Sequence, residues 1–305
     1  MSVSEALLEQ VVRLYAEGRN TRRDEKDGFP QASWVKVEEL GLPLAMCPES
    51  CSGFEMRWTE MFDVIAHAAA CGEPSPLGET LVGNLMLCAS GQAPADGPIF
   101  FSAPPSGVPV SARVLVLEGG TPRLVAPGTG SAPAGMMPPD EGPWLQAGAL
   151  LRTIQIAGAL QGALDLSVRY AQERVQFGRP LAKFQAVQQM LAQLAGEVAA
   201  SGAAARTACA KMDAGDGELA IAIAKVRAVL AIEKGAMLAH QIHGAIGVTL
   251  EYPLARLSRN MWQWGEEFGD RRYWATALGR ASLRAGSAWD IIIAASDPAG
   301  DICDE

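Results

Sequence analysis

Apolar positions recur every three or four residues through most of the chain, which predicts amphipathic helices. In the first third of the chain, this spacing predicts one helix near the N-terminus and two more that each stop at a glycine. Their sequences are SVSEALLEQVVRLYAEG, FEMRWTEMFDVIAHAAACG and LGETLVGNLMLCASG. The stretch GLPLAMCPESCSG between the first two predicts a loop, because prolines and glycines interrupt it. Residues 1–92 are therefore expected to form an N-terminal helical domain.

Residues 93–146 change character, since proline and glycine become frequent and charged residues become few. Three short runs bounded by turn residues predict β-strands: PIFFSA, SARVLVLEGG and TPRLVAPG. Three short strands form a small sheet that is a poor independent domain. The segment GTGSAPAGMMPPDEGPW then predicts a linker. This middle part is expected to be a reduced β segment.

From residue 147 onward the helical spacing returns, and two helices each carry one apolar stripe. The stripes are Leu160, Ala163, Leu164, Ser167, Val168 and Ala171, then Val187, Met190, Leu191, Leu194 and Val198. The next segment, GELAIAIAKVRAVLAIEKGAMLAHQIHG, is apolar on nearly all sides and predicts the most buried helix. Long helices joined by short connections predict an antiparallel four-helix bundle over residues 147–305, so the fold class is mainly α.

Charge and hydropathy exclude several classes of protein. The chain of 305 residues has a formal net charge of −9, whereas a nucleic-acid binder normally presents a basic face. No apolar run reaches the roughly 18 residues typical of a transmembrane helix. The N-terminus MSVSEALLEQ carries acids where a signal peptide has a basic start. The sequence therefore predicts a cytoplasmic protein without nucleic-acid or membrane partners.

Cysteine and histidine give little sign of a metal site. The six cysteines are scattered, and only Cys47 and Cys51 lie close in sequence, with no second pair at zinc-finger spacing. They are interpreted as reduced, buried thiols. His240 and His243 share a helical segment, but two histidines without nearby acids are a weak metal signal. No bound metal is expected.

Two motifs in the predicted bundle resemble the acyl-CoA dehydrogenase family. They are RVQFGRPLAKFQ, from Arg174 to Gln185, and AHQIHGAIGVTLEYPLARLSR, residues 239–259. The separation of the motifs and the N-terminal helices also resemble that family. The resemblance implies a desaturase that oxidises an acyl-CoA thioester between its α and β carbons with FAD, as part of lipid metabolism.

The resemblance also implies which residues touch the cofactor, often for the flavin seated in a neighbouring subunit. The implied contacts are Arg174, Phe177, Gln185, Gln241, Gly244 and Ala245. Arginine suits a diphosphate because its planar fork donates two parallel, charge-assisted hydrogen bonds. Phe177 would pack on the dinucleotide, and glycine would let backbone N–H groups approach a phosphate. Ala245 departs from the family, which usually has a second glycine there.

Two parts of the family pattern are missing. The family's middle domain is a β-barrel of about 100 residues around the flavin ring, and residues 93–146 retain only something like its last strands. The family's catalytic glutamate aligns with Phe268 or, in its alternative position, near Gly148, and neither is acidic. Glu266 and Glu267 lie close enough to serve after a short shift, although a solvated acidic turn is the simpler interpretation.

Three functions therefore stay open. The favoured one is the shorter, non-catalytic or half-site subunit of a heterotetramer, which contacts the FAD diphosphate held by a larger homologous subunit; steroid or sterol side-chain catabolism is one assignment. The second is a self-sufficient short dehydrogenase with Glu267 or Glu266 as base, and the third is a helical scaffold or acyl-CoA-binding module. The cluster Trp262, Trp264 and Trp274 predicts core or subunit packing, with a bulky flat ligand such as a steroid as the alternative.

Overall fold

A computed structural model describes residues 3–21, 29–72, 75–129, 144–285 and 287–296. The predicted linker falls mostly on residues outside these ranges. Four helices form the N-terminal part: α1 Val3–Thr21, α2 Gln31–Glu39, α3 Trp58–Ala70 and α4 Leu77–Ala89. Three of them were predicted from periodicity, while α2 was not, because only Trp34 and Val37 of its nine residues are buried.

A small sheet follows, made of β1 Ile99–Phe100, β2 Arg113–Glu118 and β3 Thr121–Val125. Strand β1 pairs parallel to β2, and β3 pairs antiparallel to β2, with Leu115 opposite Leu124. Alternation does not mark β2, since four consecutive residues are buried in it. The prediction of three short strands in a reduced β segment is confirmed.

The C-terminal part contains six further helices among the described residues. They are α5 Trp144–Glu173, α6 Gln185–Asp213, α7 Glu218–His243, α8 Pro253–Glu266, α9 Arg271–Ala285 and α10 Ala288–Ser296. Helices α5 to α8 pack against one another as the predicted antiparallel bundle. A short hairpin, β4 Val175–Gln176 and β5 Arg179–Pro180, joins α5 to α6. The mainly α fold class is confirmed.

The prediction that α7 is the most buried helix is wrong, because α5 is buried further. Every residue of α5 from Ala147 to Leu160 is buried, whereas Met237 of α7 is 61% exposed. Helix α5 lies between the N-terminal helices and the rest of the bundle. A Cβ on Gly158 would lie 2.0 Å from the backbone oxygen of Ala66, so the backbones of α5 and α3 touch there.

One hydrophobic cluster runs from α1 through α3, α4 and the sheet into α5, α6 and α7. Asp213, at the end of α6, also caps α3: its carboxylate accepts hydrogen bonds from the backbone N–H groups of Trp58 at 2.9 Å and Thr59 at 3.0 Å. The division into 1–92, 93–146 and 147–305 stays a prediction. Within the described ranges, no helix is long and apolar enough to cross a bilayer.

Candidate functional site

Three helix ends meet at one end of the bundle. Helix α5 ends at Glu173, α6 begins at Gln185 and α7 ends at His243. Behind these ends, Ala171, Val187 and Ile242 form a small buried cluster that fixes them together. The two sequence motifs, far apart in the chain, are thereby brought to the same end of the molecule. We call the surface formed by Arg174, Phe177, Gln185, Gln241, Gly244 and Ala245 the bundle-end surface.

The hairpin carries the most exposed aromatic ring of this surface. Phe177 and Gly178 are its two loop residues, with φ of 51° and 75°, as in a type I′ turn. A positive φ is unfavourable for phenylalanine, and its ring is 91% exposed. The ring meets Phe184 edge-on, with centroids 6.2 Å apart, and the Arg179 guanidinium lies 4.1 Å from the Phe184 centroid. The stack of Arg179, Phe184 and Phe177 therefore supports the hairpin loop.

The other members of the bundle-end surface are also exposed in this chain. Arg174, Gln185, Gln241, Gly244 and Ala245 are all exposed, and no acidic side chain in the described ranges pairs with Arg174. Gly244 has a φ of 63°, and a Cβ built on it would meet nothing within 4 Å. The surface thus offers a guanidinium, two amides and an accessible backbone.

His243 anchors the end of α7 rather than contributing to this surface. Its ring stacks on Tyr170 with centroids 4.6 Å apart. Its Nδ1 lies 2.8 Å from the carbonyl oxygen of Ala239 and must donate there, while Nε2 lies 3.2 Å from the Tyr252 hydroxyl, which can donate to it. Burial lowers the pKa of His243, which favours this neutral form.

A second cluster of polar groups lies buried at the centre of the molecule. Arg152 of α5 is fully buried. Its Nη1 donates to Glu79 Oε1 at 2.6 Å and to Gln155 Oε1 at 2.7 Å, and its Nε donates to Glu267 Oε2 at 2.6 Å. Nη2 also contacts Glu267. Burial alone would lower the pKa of Arg152, but the carboxylates of Glu267 and Glu79 outweigh it and raise that pKa.

The second oxygens of both carboxylates are bonded as well. Glu79 Oε2 accepts from the backbone N–H of Phe101 at 3.0 Å, and Glu267 Oε1 accepts from Gln263 Nε2 at 2.8 Å. All four carboxylate oxygens around Arg152 thus have donors from this chain. A buried ion pair keeps its charges only when its remaining lone pairs are satisfied, and here they are.

Lys225 of α7 closes the cluster from another side. Its Nζ donates to the backbone oxygens of Trp264 at 2.7 Å and Glu267 at 2.8 Å, which ties α7 to the end of α8. Burial, reinforced by the charge of Arg152, lowers the pKa of Lys225 to about 7. We call Arg152, Glu79, Glu267, Gln155 and Lys225 the buried centre.

The sequence matches known proteins over this bundle. Residues 143–262 match the family described as acyl-CoA dehydrogenase, C-terminal domain. Over these residues the bundle is similar to the C-terminal domain of acyl-CoA dehydrogenases. The resemblance drawn from the two motifs is thereby confirmed.

Two relatives show how far the likeness extends. The chain is 43% identical to a glutaryl-CoA dehydrogenase of Desulfococcus multivorans over 105 residues, which are 34% of this chain and 27% of that protein. It therefore spans only about a quarter of that relative's length. It is 27% identical over 259 residues to the acyl-CoA dehydrogenase IpdE2 of Mycobacterium tuberculosis, covering 74% of this chain and 79% of that protein.

Solved structures share the fold over most of the chain. The ChsE4–ChsE5 complex from Mycobacterium tuberculosis superposes with a TM-score of 0.72 at 18% identity, covering 93% of this chain and 98% of that chain. Butyryl-CoA dehydrogenase from Megasphaera elsdenii gives a TM-score of 0.71 at 18% identity, covering 93% and 99%. The N-terminal helices, small sheet and bundle therefore have the acyl-CoA dehydrogenase arrangement.

The two positions expected for the acyl-CoA dehydrogenase base face each other in this structure. A Cβ on Gly148 would lie 2.2 Å from the Phe268 ring, so the ring fills the space beside that glycine. Phe268 is buried with a φ of 53°, packs edge-on to Phe101 with centroids 5.5 Å apart, and accepts at its backbone oxygen from Trp274 Nε1 at 3.0 Å. An aromatic ring thus occupies the region where the family would place a carboxylate.

The two glutamates proposed as substitutes have different surroundings. Glu267 is held by Arg152 and Gln263 within the buried centre, while Glu266 is exposed at the end of α8. The tryptophans also diverge. Trp274 is buried, Trp264 packs near Arg152 with 5.9 Å from guanidinium to ring centroid, and Trp262 is 44% exposed. The packing interpretation fits Trp264 and Trp274 best.

Sequence reasoning did not find Arg152, Glu79 or Lys225. The available signal was a charged residue inside an apolar helical run, as in GALLRTIQIAG and LGETLVGN. Such residues are rarely buried unless paired, so each implied a buried partner. The partners could not be named, because Arg152 and Glu267 are 115 residues apart in sequence.

Proposed function

We propose that this chain is a subunit of an FAD-dependent acyl-CoA dehydrogenase, in which it contacts the diphosphate and adenosine end of a flavin held by a larger homologous subunit. The observation that carries the proposal is a contrast. On the bundle-end surface, the side chains of Arg174, Gln185 and Gln241 are exposed and have no hydrogen-bond partner among the described residues. The region of the expected base is instead filled by Phe268 and closed by ion pairs.

The exposed groups fit a dinucleotide diphosphate. Arg174 would bind it through its guanidinium fork, and the amides of Gln185 and Gln241 would donate further hydrogen bonds. Gly244 leaves the backbone accessible to a phosphate oxygen, and Phe177 offers a ring for packing. When bound, the flavin would accept the hydride from the β carbon of the acyl thioester. This chain's residues would bind and orient the cofactor and exclude water from its diphosphate.

The closed region supports a half-site rather than a complete site. The small sheet of three strands gives little to enclose a flavin ring. Both carboxylate oxygens of Glu267 already accept hydrogen bonds, and a base must be able to reach the proton it removes. The larger subunit would therefore supply the catalytic glutamate and the ring-binding barrel.

The relatives support the class of assembly and substrate. One structural neighbour is a complex of two chains, ChsE4 and ChsE5, and another is a steroid acyl-CoA dehydrogenase, Tcur3481–Tcur3483. We infer a cytoplasmic heterotetramer with a larger homologous subunit, and steroid or sterol side-chain thioesters as the substrate class to test first.

Co-expression with a larger homologous subunit tests the proposal. We expect a yellow complex with one FAD for each pair of chains, and an Arg174→Ala complex that assembles but holds FAD at least tenfold more weakly, since charge-assisted hydrogen bonds contribute roughly 1.5–3 kcal/mol. Arg280→Ala, on the exposed face of α9, is the matched control and should bind FAD normally. An active, flavin-loaded preparation of this chain alone would refute the half-site role, and a colourless complex would favour the scaffold.

A further inference from the structure

Three thiols that are scattered in sequence meet at one place in the N-terminal part. Cys47 follows the short 3-10 helix Leu42–Leu44, Cys51 ends the 3-10 helix Glu49–Cys51, and Cys88 lies in the last turn of α4. Cys51 and Cys88 line one small surface cavity, and the Cys88 thiol lies close enough to those of Cys47 and Cys51 to influence their ionisation. None of the three is in a disulfide.

The loop that carries Cys47 and Cys51 is tightly bonded to itself. The backbone oxygen of Pro48 accepts from Cys51 N–H at 2.9 Å and from Gly53 N–H at 3.1 Å, and Cys47 oxygen accepts from Glu55 N–H at 2.9 Å. A Cβ on Gly53 would lie 2.0 Å from that Cys47 oxygen, so only glycine fits there. The backbone positions of Cys47 and Cys51 are therefore fixed by the fold of the loop.

Helix α4 is attached to the preceding turn by a separate contact. Asn84 Nδ2 donates to the Pro43 backbone oxygen at 3.0 Å, one turn before Cys88 on the same helix. This bond holds Cys88 in register with the loop. The thiols of Cys51 and Cys88 can therefore approach each other without a large movement of either element.

The three thiols differ in their access to solvent. Cys47 is fully buried, whereas Cys51 and Cys88 are half-buried. Both of the latter line the same surface cavity of about 480 Å³, whose other walls include Ser50, Ser52 and Gln92. A small polar oxidant can reach Cys51 and Cys88 through this cavity, and it cannot reach Cys47 as easily.

We propose that Cys51 and Cys88 form a reversible oxidation site that a hydroperoxide converts to a disulfide. The Cys51 thiolate attacks the peroxide, the O–O bond breaks, and an alcohol or water leaves as Cys51 becomes a sulfenic acid. Cys88 then loses its proton and attacks the Cys51 sulfur, the S–O bond breaks, and water leaves. Two thiols and one hydroperoxide thus give one disulfide, one alcohol and one water.

The surroundings of Cys88 set the pH dependence of this reaction. Burial, with the neighbouring Cys51 and Cys47 thiols, raises the pKa of Cys88, so it waits as a thiol at neutral pH. The closing step needs the thiolate and should accelerate as pH rises. A disulfide here would link the loop to α4, the helix that carries Glu79 of the buried centre.

Mass spectrometry of the full chain after hydrogen peroxide treatment tests the proposal. We expect a loss of two hydrogen masses, a peptide cross-link between Cys51 and Cys88, faster formation at pH 9 than at pH 7, and full reversal by dithiothreitol. Cys51→Ser and Cys88→Ser should each abolish the cross-link. Cys209→Ser, a substitution at a buried thiol of α6, is the matched control and should leave it intact.

The wild-type chain alone can decide the matter if a serine variant does not fold. Sulfinic acid at Cys51 without a cross-link would overturn the proposal, as would a disulfide that joins Cys88 to Cys47 instead. Intact thiols after treatment that oxidises free glutathione completely would overturn it too.

Discussion

The bundle-end surface exposes its arginine to solvent, whereas the buried centre pairs its arginine with two glutamates. At the bundle end, Arg174 is exposed and Phe177 is held at a positive φ with its ring in solvent. In the buried centre, Arg152 is paired with Glu79 and Glu267, and all four carboxylate oxygens accept hydrogen bonds within the chain, while Arg152 Nη2 contacts Glu267 without a well-aligned hydrogen bond. Holding an exposed aromatic residue at a positive φ costs the isolated fold free energy, whereas the buried ion network connects elements of the fold. This contrast is what the proposal rests on, in which the bundle-end surface binds a cofactor held by a partner and the buried centre stabilises the fold.

Removing Arg152 should have the largest effect on the free energy of unfolding. Arg152→Gln leaves two buried carboxylates without their cation, and we expect a loss of roughly 3–5 kcal/mol in the free energy of unfolding. Urea denaturation measures it. The matched control is Arg123→Gln, which breaks the Arg123–Glu118 pair, exposed by 61% and 53%, and should cost less than about 1 kcal/mol.

A second substitution distinguishes pairing from packing in the same centre. Replacing Glu79 and Glu267 by glutamine in the Arg152→Gln background removes the unpaired charges, so part of the lost stability should return. If Arg152→Gln alone costs less than about 1 kcal/mol, the carboxylates are not held by that arginine and the centre is misjudged.

Burial of Lys225 should make the free energy of unfolding depend on pH. The folded-state pKa of Lys225 is lowered to about 7 from its ordinary 10.5, so between these values the unfolded chain binds a proton that the folded chain does not. The free energy of unfolding should therefore rise with pH in this window, by up to about 1.4 kcal/mol per pH unit, and be insensitive to Lys225 below it.

Urea titrations of wild type and Lys225→Met at pH 7, 8 and 9 isolate that contribution, because the other titrating groups are common to both. The stability difference between them should widen as pH rises. Lys183→Met, at an exposed position, should run parallel to wild type. Parallel curves for Lys225→Met would mean that Lys225 stays charged in the folded chain.

A substitution at the contact between Gly148 and Phe268 should have the next largest effect on stability. An added methyl at Gly148 lies 2.2 Å from Cδ1 and 2.5 Å from Cγ of Phe268, and Cγ can move away only by a change in χ1 or in the backbone, which the buried packing of the ring resists. We expect Gly148→Ala to destabilise by roughly 1–3 kcal/mol. Gly196→Ala in α6, where a Cβ meets nothing within 4 Å, should instead stabilise by about 0.5–1 kcal/mol.

A double-mutant cycle makes this test specific. In a Phe268→Ala background, Gly148→Ala should cost less than it does in the wild type, because the ring it strikes is gone. Equal costs in both backgrounds would mean that Phe268 does not fill the space beside Gly148.

The two regions also differ in how far sequence could predict them. The bundle-end surface comes from short motifs at helix ends, and the predicted apolar stripes stop at Ala171 and start at Val187, close to the observed ends of α5 and α6. The buried centre joins α4, α5, α7 and the end of α8, and its pairs depend on how the helices are stacked. The sequence did not predict that Cys51 and Cys88 lie together for the same reason, since only the fold brings these two residues to one cavity. Periodicity also predicted too much burial for α7, because an apolar run does not reveal that Met237 faces solvent.

The smallest expected effect lies under the hairpin, and it separates binding from stability. Phe184→Leu removes the ring that Arg179 covers at 4.1 Å and that Phe177 meets edge-on, a stack worth about 0.5–1 kcal/mol. If the stack positions Phe177 for the flavin, the affinity of the complex for FAD should fall roughly two- to fivefold. The urea midpoint of unfolding should barely change. Flavin fluorescence titration measures the first and urea denaturation the second. Unchanged FAD affinity would mean that the loop holds its strained turn without Phe184, and that the exposed ring of Phe177 is set by the hairpin backbone alone.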